Sequence, residues 1–554
     1  MCRSGDSVTN RFSIAGIGNP ANYNLFDTPV RNGHLSIVGS CKTRAPVRPL
    51  AWHTRAEQEG RTGSPEEAAA GRFAEADRGA ESGDSYAPLF VHDSVRSEFD
   101  HSHNYLGSDF SVFQFNVERA QRNAQGTTFN SVNPFKDETF KAAINSRCGF
   151  TFDFDFTRLC SIINDDELRV HPVVMEQVLK DLDSSKSPGS PLCYLSPTNA
   201  GVLETHTCEF IRSVESQLHD WRNIGKALVE SDDFEAGIGF GMSREEYDRK
   251  CVGLLNSGVT RSVLLRRKSE PRKKGKRPRL VCMVSSDTNT AARVLLSDYL
   301  IAEQEAGNNI TAAVGLDLTT PSKTQERYEE FVLNSPLSSN DVEGWEYSTG
   351  LTLHWASFNQ YAMRMKLINS DLRIIEGKEE TYYVLLGYYF CSAFRILQSD
   401  DGQLFTGPPA NTSSGELITF SKNSSSRTLL NDYVNVQLGF PLGGYNKSAG
   451  DDNLDSRIPK ENPEATITAM YASLGFTITD VAIQTNVFDF CSTVFADGKS
   501  YQENIRKAYA TFFFEKALTQ QLFAEKLAGF DAGFNRHPDY RAYRDSILMF
   551  ASLK

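Results

Sequence analysis

Asp451 and Asp452 stand side by side behind Gly450, within Tyr445–Asp455 (YNKSAGDDNLD). Adjacent carboxylates repel, and in a tight turn neither can move far from the other. A divalent cation removes that repulsion, and hard oxygen ligands suit Mg2+. Gly450 lets the turn adopt a positive φ and leaves room for a substrate backbone. A second acidic pair, Asp341 and Glu346, lies in Asn340–Ser348 (NDVEGWEYS). A strand ending at Asp341 would present one carboxylate at its tip, and a turn through Gly344 would return Glu346 to the same side. Two metals about 4 Å apart need carboxylates from separate segments, and Asp341 and Asp451 can supply them. The plainer readings are a surface turn for the first pair and a helix-capping acidic loop for the second.

Two further groups add binding chemistry. In Ser413–Arg427 (SSGELITFSKNSSSR), Ser414-Gly415, Thr419 and Asn423 follow the spacing SGxxxTxxxN. On a helix Gly415, Thr419 and Asn423 would share one small, polar face, suited to a sugar hydroxyl and poorly suited to a core. A Ser/Thr-rich loop is the alternative. Arg261–Arg279 (RSVLLRRKSEPRKKGKRPR) carries ten Lys or Arg and one acid, Glu270. It is +9 over nineteen residues in a chain whose net charge is −12. Such a run binds phosphate or is a disordered basic tail or localisation signal. Its position inside a globular region, directly before the strand-like Leu280–Val284 (LVCMV), favours phosphate.

The elements that must position these groups are helices and short strands in irregular alternation, which favours a mixed fold over a barrel. Val170–Asp183 has apolar residues at helical spacing and breaks at Ser-Lys-Ser-Pro-Gly. Pro463 can open a helix that runs through Thr466–Leu474, Gly475 closes it, and FTITDVAI follows as a strand. Tyr382–Cys391 is the longest apolar run, half of a membrane span, and reads as a buried helix or strand. Tyr501–Leu527 has helical periodicity.

The chain has 554 residues, 40% hydrophobic and 23% charged. That usage excludes a wholly disordered chain, a fibrous repeat and a polytopic membrane protein. Residues 56–85 hold a single large apolar residue, Phe73, among Ala, Gly, Glu and Ser, and read as a flexible acidic linker, with a solvated helix as the alternative. Residues 1–55 are then a separate leader of no recognisable signature. The ten cysteines include no CxxC spacing, so no zinc knuckle is expected and they read as buried, reduced thiols. His101 and His103 have no companion ligands and read as surface or loop residues.

Taken in order, these pieces resemble a viral RNA-dependent RNA polymerase of positive-strand type, most like those of the sobemovirus, polerovirus and barnavirus group. Ser187-Pro188-Gly189-Ser190-Pro191 is similar to the SPGxP segment near the template entrance. Lys268-Ser269-Glu270-Pro271 with Arg279-Leu280-Val281 is similar to the fingers motif that meets the incoming triphosphate. Asp341-Val342-Glu343-Gly344-Trp345 is similar to the first palm motif. Ser414-Gly415, Thr419, Asn423-Ser424 and Arg427 are similar to the ribose-sensing motif, and Gly450-Asp451-Asp452 to the metal motif. Phe490-Cys491-Ser492 with Phe495 is similar to the primer-grip segment. The likeness covers roughly residues 180–500. Two departures stand out. Glu346 occupies a position where the family usually has Asp, and Thr479-Asp480 stands where a Lys able to protonate pyrophosphate is often found. That leaves the general acid unassigned, with Lys460 as the candidate.

The resemblance implies an α+β right hand. Residues 91–340 would form an N-terminal extension and fingers with the basic segment 261–279. Residues 341–495 would form a palm with a small antiparallel sheet and a fingers insertion at about 360–410, and 496–554 a helical thumb. It implies template-directed RNA synthesis from NTPs on an RNA template by two-metal nucleotidyl transfer. Asp341 and Asp451 would bind two Mg2+ ions, or Mn2+ in their place, with Asp452 tuning the site. Lys268 and Arg279, with Lys276 and Arg277 in reserve, would clamp the triphosphate. Glu346, Ser414, Gly415, Thr419 and Asn423 would form the ribose and nucleotide pocket. Ser187, Pro188, Gly189, Cys491 and Ser492 would touch template or nascent strand, with the Cys491 thiol packed and unreactive. Partners would be the RNA template, the nascent RNA, NTPs, and viral or host replication proteins. The expected location is the host cell cytoplasm, at membrane-associated replication sites or within virions, with no membrane anchor of its own. The competing readings are a catalytically inactive RNA-binding accessory protein and another right-hand polymerase such as a reverse transcriptase.

Overall fold

Strand Leu337–Val342 occupies an inner position of a four-stranded antiparallel sheet, between Asp452–Asp455 and Ile478–Gln484, with Asn446–Ala449 on the outer side of Asp452–Asp455. The coordinates are a computed structural model, which describes residues 23–41, 95, 97–164, 167–314, 316, 320–411, 413–514 and 520–552. The register sets Asn340 opposite Asn453 and Asp341 opposite Thr479. Ala449 pairs with Asp452, so Gly450 and Asp451 form a two-residue hairpin loop. Asp341 and that loop therefore emerge at the same edge of the sheet.

Helices Thr419–Gln437 and Pro463–Ser473 back this sheet. Pro463 opens the second helix, Gly475 follows it with φ +91°, and the strand Ile478–Gln484 comes next, as the spacing predicts. Behind them pack Gly350–Arg364 and Glu379–Ala393. The apolar run at 382–391 is thus a helix, buried on nearly all sides as a uniformly apolar helix must be. Trp355, Phe358, Tyr361 and Tyr389 form the centre of this core. Helix Pro172–Lys180 stops before Ser-Lys-Ser-Pro-Gly, also as expected.

A second, six-stranded sheet runs in the order Tyr23–Asn32, Leu35–Cys41, Gln403–Thr406, Leu397–Gln398, Val263–Arg267, Leu280–Met283. It joins the two arms of the basic segment to the insertion at 360–410. It also takes in residues 23–41, which are not set apart from the rest of the fold. Leu35–Cys41 pairs antiparallel with Gln403–Thr406 and buries Leu35 and Val38. An unpaired strand edge offers free N–H and C=O groups to such a partner. The linker expected at 56–85 lies outside the described residues.

At the C-terminal end, hairpin Val487–Phe490/Thr493–Ala496 and strand Lys499–Gln502 form a three-stranded sheet. Helices Ile505–Phe514, Gln520–Phe534 and Tyr540–Ser552 follow. Their own core of Tyr509, Phe512, Phe530, Phe534, Tyr543 and Ile547 also takes in Val95 and Phe99. No helix among the described residues is long and apolar enough to cross a membrane.

Candidate active site

Asp341 and Asp451 meet: the two carboxyls are in direct contact where the central strand ends beside the hairpin loop. Asp341 is half-buried and its Oδ1 is shielded from water with no hydrogen-bond partner. Burial, then the Asp451 charge, pushes the Asp341 carboxyl up to about 6, while Arg427 pulls the other way. Asp452 is pushed up to about 7 by burial and by Asp451 and Asp341. Asp489, on the adjoining hairpin, is raised to about 6 by burial and Glu503, and its charge also reaches Asp452. Asp480 adds a further negative charge beside Asp341. Carboxylates crowded in this way hold protons unless a cation takes their place.

The residues fit a hard divalent cation. A buried carboxylate oxygen without a donor, in contact with a second carboxylate, is the oxygen donor set that Mg2+ takes. No group of three or more His, Cys, Asp or Glu side chains among the described residues is arranged to hold a metal on protein ligands alone. A cation here would therefore complete its shell with oxygens from outside the chain, as Mg2+ commonly does with water and phosphate.

Glu346 returns toward the same place, as the turn through Gly344 predicts. Gly344 has φ +64° and opens the short helix Trp345–Ser348. The Glu346 side chain is open to solvent, and the charges of Asp451, Arg279 and Arg119 reach it. Desolvation, and then Asp451, push its carboxyl up, against the pull of Arg279 and Arg119.

Helix Thr419–Gln437 holds the hairpin loop from behind. Ser424 Oγ accepts from the Gly450 N–H at 2.9 Å. Arg427 donates through Nε to the Asp451 carbonyl at 3.0 Å, through Nη1 to Tyr471 Oη at 2.6 Å, and through Nη2 to Asn340 Oδ1. One buried guanidinium thus spans the neighbours of both contacting aspartates. Gly450 has φ +65° and open space around it, so its requirement is conformational.

The expected face of Gly415, Thr419 and Asn423 is only partly formed. The helix starts at Thr419, so Gly415 lies in the turn before it. That turn docks on strand Leu280–Met283: Ser414 Oγ accepts from the Cys282 N–H at 3.0 Å, and a Cβ on Gly415 would stand 2.1 Å from the Cys282 carbonyl oxygen. Ser414 and Gly415 therefore join the two sheets. Thr419 and Asn423 remain one turn apart on the helix. Thr419 Oγ1 is engaged by the carbonyls of Ser413 and Glu416, whereas Asn423 Oδ1 is buried and unpartnered.

The basic segment divides by task. Arg261 pairs with buried Asp287, and Arg267 with Asp109 and the carbonyls of Tyr105 and Gly107. Lys268, Lys276, Arg277 and Arg279 are exposed. Arg277 stacks on Phe115, its guanidinium 3.4 Å from the ring centroid. Lys268 and Arg279 lie across from each other, with the Lys268 N–H on the Arg279 carbonyl at 2.9 Å, and Arg279 is the one whose charge reaches Glu346.

Cys491 and Ser492 form the tip of the 487–496 hairpin, both with positive φ. Burial, then Asp452 and Asp451, push the Cys491 thiol up, which keeps it protonated and places it near the hairpin loop. Pro188 and Gly189 are buried: the Pro188 carbonyl accepts from the Ser286 N–H at 2.8 Å, and a Cβ on Gly189 would stand 2.8 Å from the Val284 carbonyl oxygen. Only Ser187 of that trio is half-exposed. Lys460 is exposed in the loop before Pro463.

The sequence places Ser424 and Arg427 in the ribose-sensing motif without a task of their own, and gives no role to Asn340, Asp489 or Arg119. Arg119 pairs with Glu343 at 2.7 Å and so steadies the turn that carries Glu346. Ser424 and Arg427 lie three apart on one helix face, a spacing that lets both reach the hairpin loop.

No protein-family model and no curated protein matches the chain. Solved structures do. The RNA-dependent RNA polymerase of a human picobirnavirus matches with a TM-score of 0.51 at 12% identity, over 88% of this chain and 82% of that one. An insertion-loop deletion mutant of the same polymerase gives 0.52 at 12% identity, over 89% and 86%. The sicinivirus 3Dpol RNA-dependent RNA polymerase gives 0.52 at 13% identity, over 78% and 85%. These structures support the wider class and do not single out the sobemovirus-like group. The chain has the right-hand fold of viral RNA-dependent RNA polymerases.

Proposed function

We propose that this protein synthesises RNA from NTPs on an RNA template, as a nucleotidyltransferase of viral genome replication and transcription. The observation that carries the reading is the contact between Asp341 and Asp451 where the central strand ends beside the hairpin loop, with a buried Asp341 oxygen left without a donor. Asp341 and Asp451 would hold Mg2+, with Asp452 beside them. Bound there, Mg2+ supplies neutralisation of the triphosphate and a lowered pKa for a primer 3′-hydroxyl. The rest is positioning, which is most of what phosphoryl transfer asks of a protein. Lys268 and Arg279 receive the triphosphate, and Lys276 and Arg277 extend the same basic surface. Glu346, Thr419 and Asn423 take the sugar edge, Asn423 through its free oxygen. The Cys491–Ser492 tip lies against the nascent strand. Arg427 and Ser424 keep the hairpin loop still while the substrates come and go.

The test is primer extension on an RNA template with Mg2+, comparing NTPs with dNTPs. The wild type is expected to incorporate NTPs in template order. Asp451→Ala is expected to abolish incorporation with folding intact, because Asp451 is exposed and its loss opens no core. Full activity in Asp451→Ala would remove the site assignment. Preference for dNTPs would favour a reverse transcriptase, and inactivity of the wild type an accessory protein.

A further inference from the structure

Glu270 is the one acid in the basic segment, and three cations converge on it. Lys507 Nζ, from the first turns of helix Ile505–Phe514, is 3.1 Å from Oε2. Lys268 Nζ is at 3.6 Å and Arg279 Nε at 3.8 Å. Only Lys507 is within hydrogen-bond distance. The Glu270 backbone is fixed on both sides, its N–H on Ser102 Oγ and its carbonyl accepting from the Ser102 N–H, each at 3.1 Å. The carboxylate is nearly enclosed, at 11% exposure, whereas Lys268 and Arg279 are 49% and 70% exposed. Around it, strand Pro271–Lys273 pairs with Phe99–His101, and helix Ile505–Phe514 packs on both. Arg506, next to Lys507, pairs with Glu98. The fingers and the thumb therefore touch at Glu270, the carboxylate that Lys268 and Arg279 also reach.

Burial pushes the Glu270 carboxyl up, but Lys507 above all, with Lys268 and Arg279, outweighs it and holds the group below the usual range. It stays a carboxylate, and its single charge is shared. We propose that Glu270 is a positioning residue that links the thumb to the triphosphate clamp. Lys507 occupies its carboxylate, so Lys268 and Arg279 are held in place but only loosely, and both are released to a nucleoside triphosphate. Solvated ion pairs as long as these two are weak, whereas a triphosphate offers several charges in charge-assisted hydrogen bonds. Without Lys507 the same carboxylate would draw in Lys268 and Arg279 and compete with the ligand. This link rests on the assignment of Lys268 and Arg279 to the triphosphate under the proposed activity.

The test is a double-mutant cycle on the full chain with Lys507→Met, Glu270→Gln and both together. Affinity for a fluorescent, non-incorporable NTP analogue is measured alongside KM and kcat in primer extension. Lys507→Met is expected to weaken analogue binding and raise KM about three- to fivefold, the range of one exposed ion pair, with kcat nearly unchanged. In the Glu270→Gln background the same change is expected to do nothing. Lys507→Arg, which keeps the pair, is expected to behave as wild type. Equal weakening in both backgrounds, or none in either, overturns the proposal. Coupling without primer extension would retain the link and remove the polymerase reading. Primer extension without coupling would remove the link alone, and an analogue that does not bind the wild type would remove both.

Discussion

Arg427 donates to the backbone carbonyl of Asp451, not to its carboxylate. The distinction matters. A cation on the carboxylate would compete with a metal, whereas one on the carbonyl fixes the loop and leaves the carboxylate free. Its other nitrogens reach Asn340, the residue before Asp341, and Tyr471. Arg427→Lys keeps the charge but loses the fork, and leaves at least one buried partner unpaired at about 1–3 kcal/mol. We expect a lower Tm and a fall in kcat, with KM little changed. Tyr471→Phe removes one partner, leaves both loop contacts in place, and is expected to keep most of the rate. Equal kcat in Arg427→Lys and wild type would remove the buttressing role.

Two glycines near the site are needed for different reasons, and alanine separates them. At Gly450 a Cβ has open space but the backbone sits at φ +65°. Gly450→Ala is expected to lower stability by about 1–2 kcal/mol, the strain of one left-handed residue, while distorting the loop enough to lose most of the activity. At Gly415 a Cβ would stand 2.1 Å from the Cys282 carbonyl oxygen. Gly415→Ala must push the 413–418 turn off strand Leu280–Met283, and a loss of about 3 kcal/mol is expected. Denaturant unfolding of the two variants should give that order; the reverse order would contradict the docking of the 413–418 turn.

What the sequence made legible was local. The acidic pairs, the helices at 172 and 463 and the buried run at 382–391 follow from spacing and from Pro and Gly punctuation. What it hid was tertiary. Four-residue spacing suggested that Gly415 shares a helical face with Thr419, but nothing local reveals that a strand from 280–283 passes beside Gly415 and stops the helix short. Pro188 and Gly189 looked like a contact segment, yet both are buried, with the Pro188 carbonyl accepting from the Ser286 N–H and the Gly189 carbonyl from the Cys193 N–H. Residues 23–41 carry no motif at all, because their role is to pair with a strand more than 360 residues away. Arg427 was in plain view within the motif, but its task depends on three partners from three other elements.

His354 offers a test of the core by pH. It is buried between Trp355 and Tyr389, with Nε2 donating to the Tyr389 carbonyl at 2.9 Å and Nδ1 unpartnered. Burial, then the Lys422 charge, hold its pKa well below the ordinary value, so the folded protein keeps it neutral. The unfolded chain takes up its proton near pH 6.5, so below that pH the unfolded state binds more protons and stability falls with pH. This contribution is intact above about pH 6.5 and drains away below it, at up to about 1.4 kcal/mol per pH unit. Relative to wild type, His354→Gln should lose less Tm between pH 7 and pH 5.5, whatever its stability at neutral pH. Parallel Tm curves for the two proteins would mean that His354 titrates in the folded state.

Glu346 is the residue whose type departs from what the fold's relatives lead one to expect, and it allows the sharpest test of sugar recognition. It is exposed, and the charges of Asp451, Arg279 and Arg119 all reach it. Asn423, with its free buried oxygen, is the other polar group offered to a ribose. A 2′-hydroxyl that hydrogen-bonds here gains about 1–1.5 kcal/mol over its absence, roughly tenfold in kcat/KM between an NTP and the matching dNTP. Glu346→Ala should therefore lower that ratio by about tenfold, through loss of NTP efficiency and not through gain of dNTP efficiency. Glu346→Asp shortens the reach by one methylene and keeps the charge, so it should preserve or raise the ratio. Steady-state kcat/KM for one NTP and its dNTP on a fixed template and primer decides the matter. If Glu346→Ala leaves the ratio unchanged while total activity falls, the side chain works only through its charge on Asp451, and the sugar is read elsewhere.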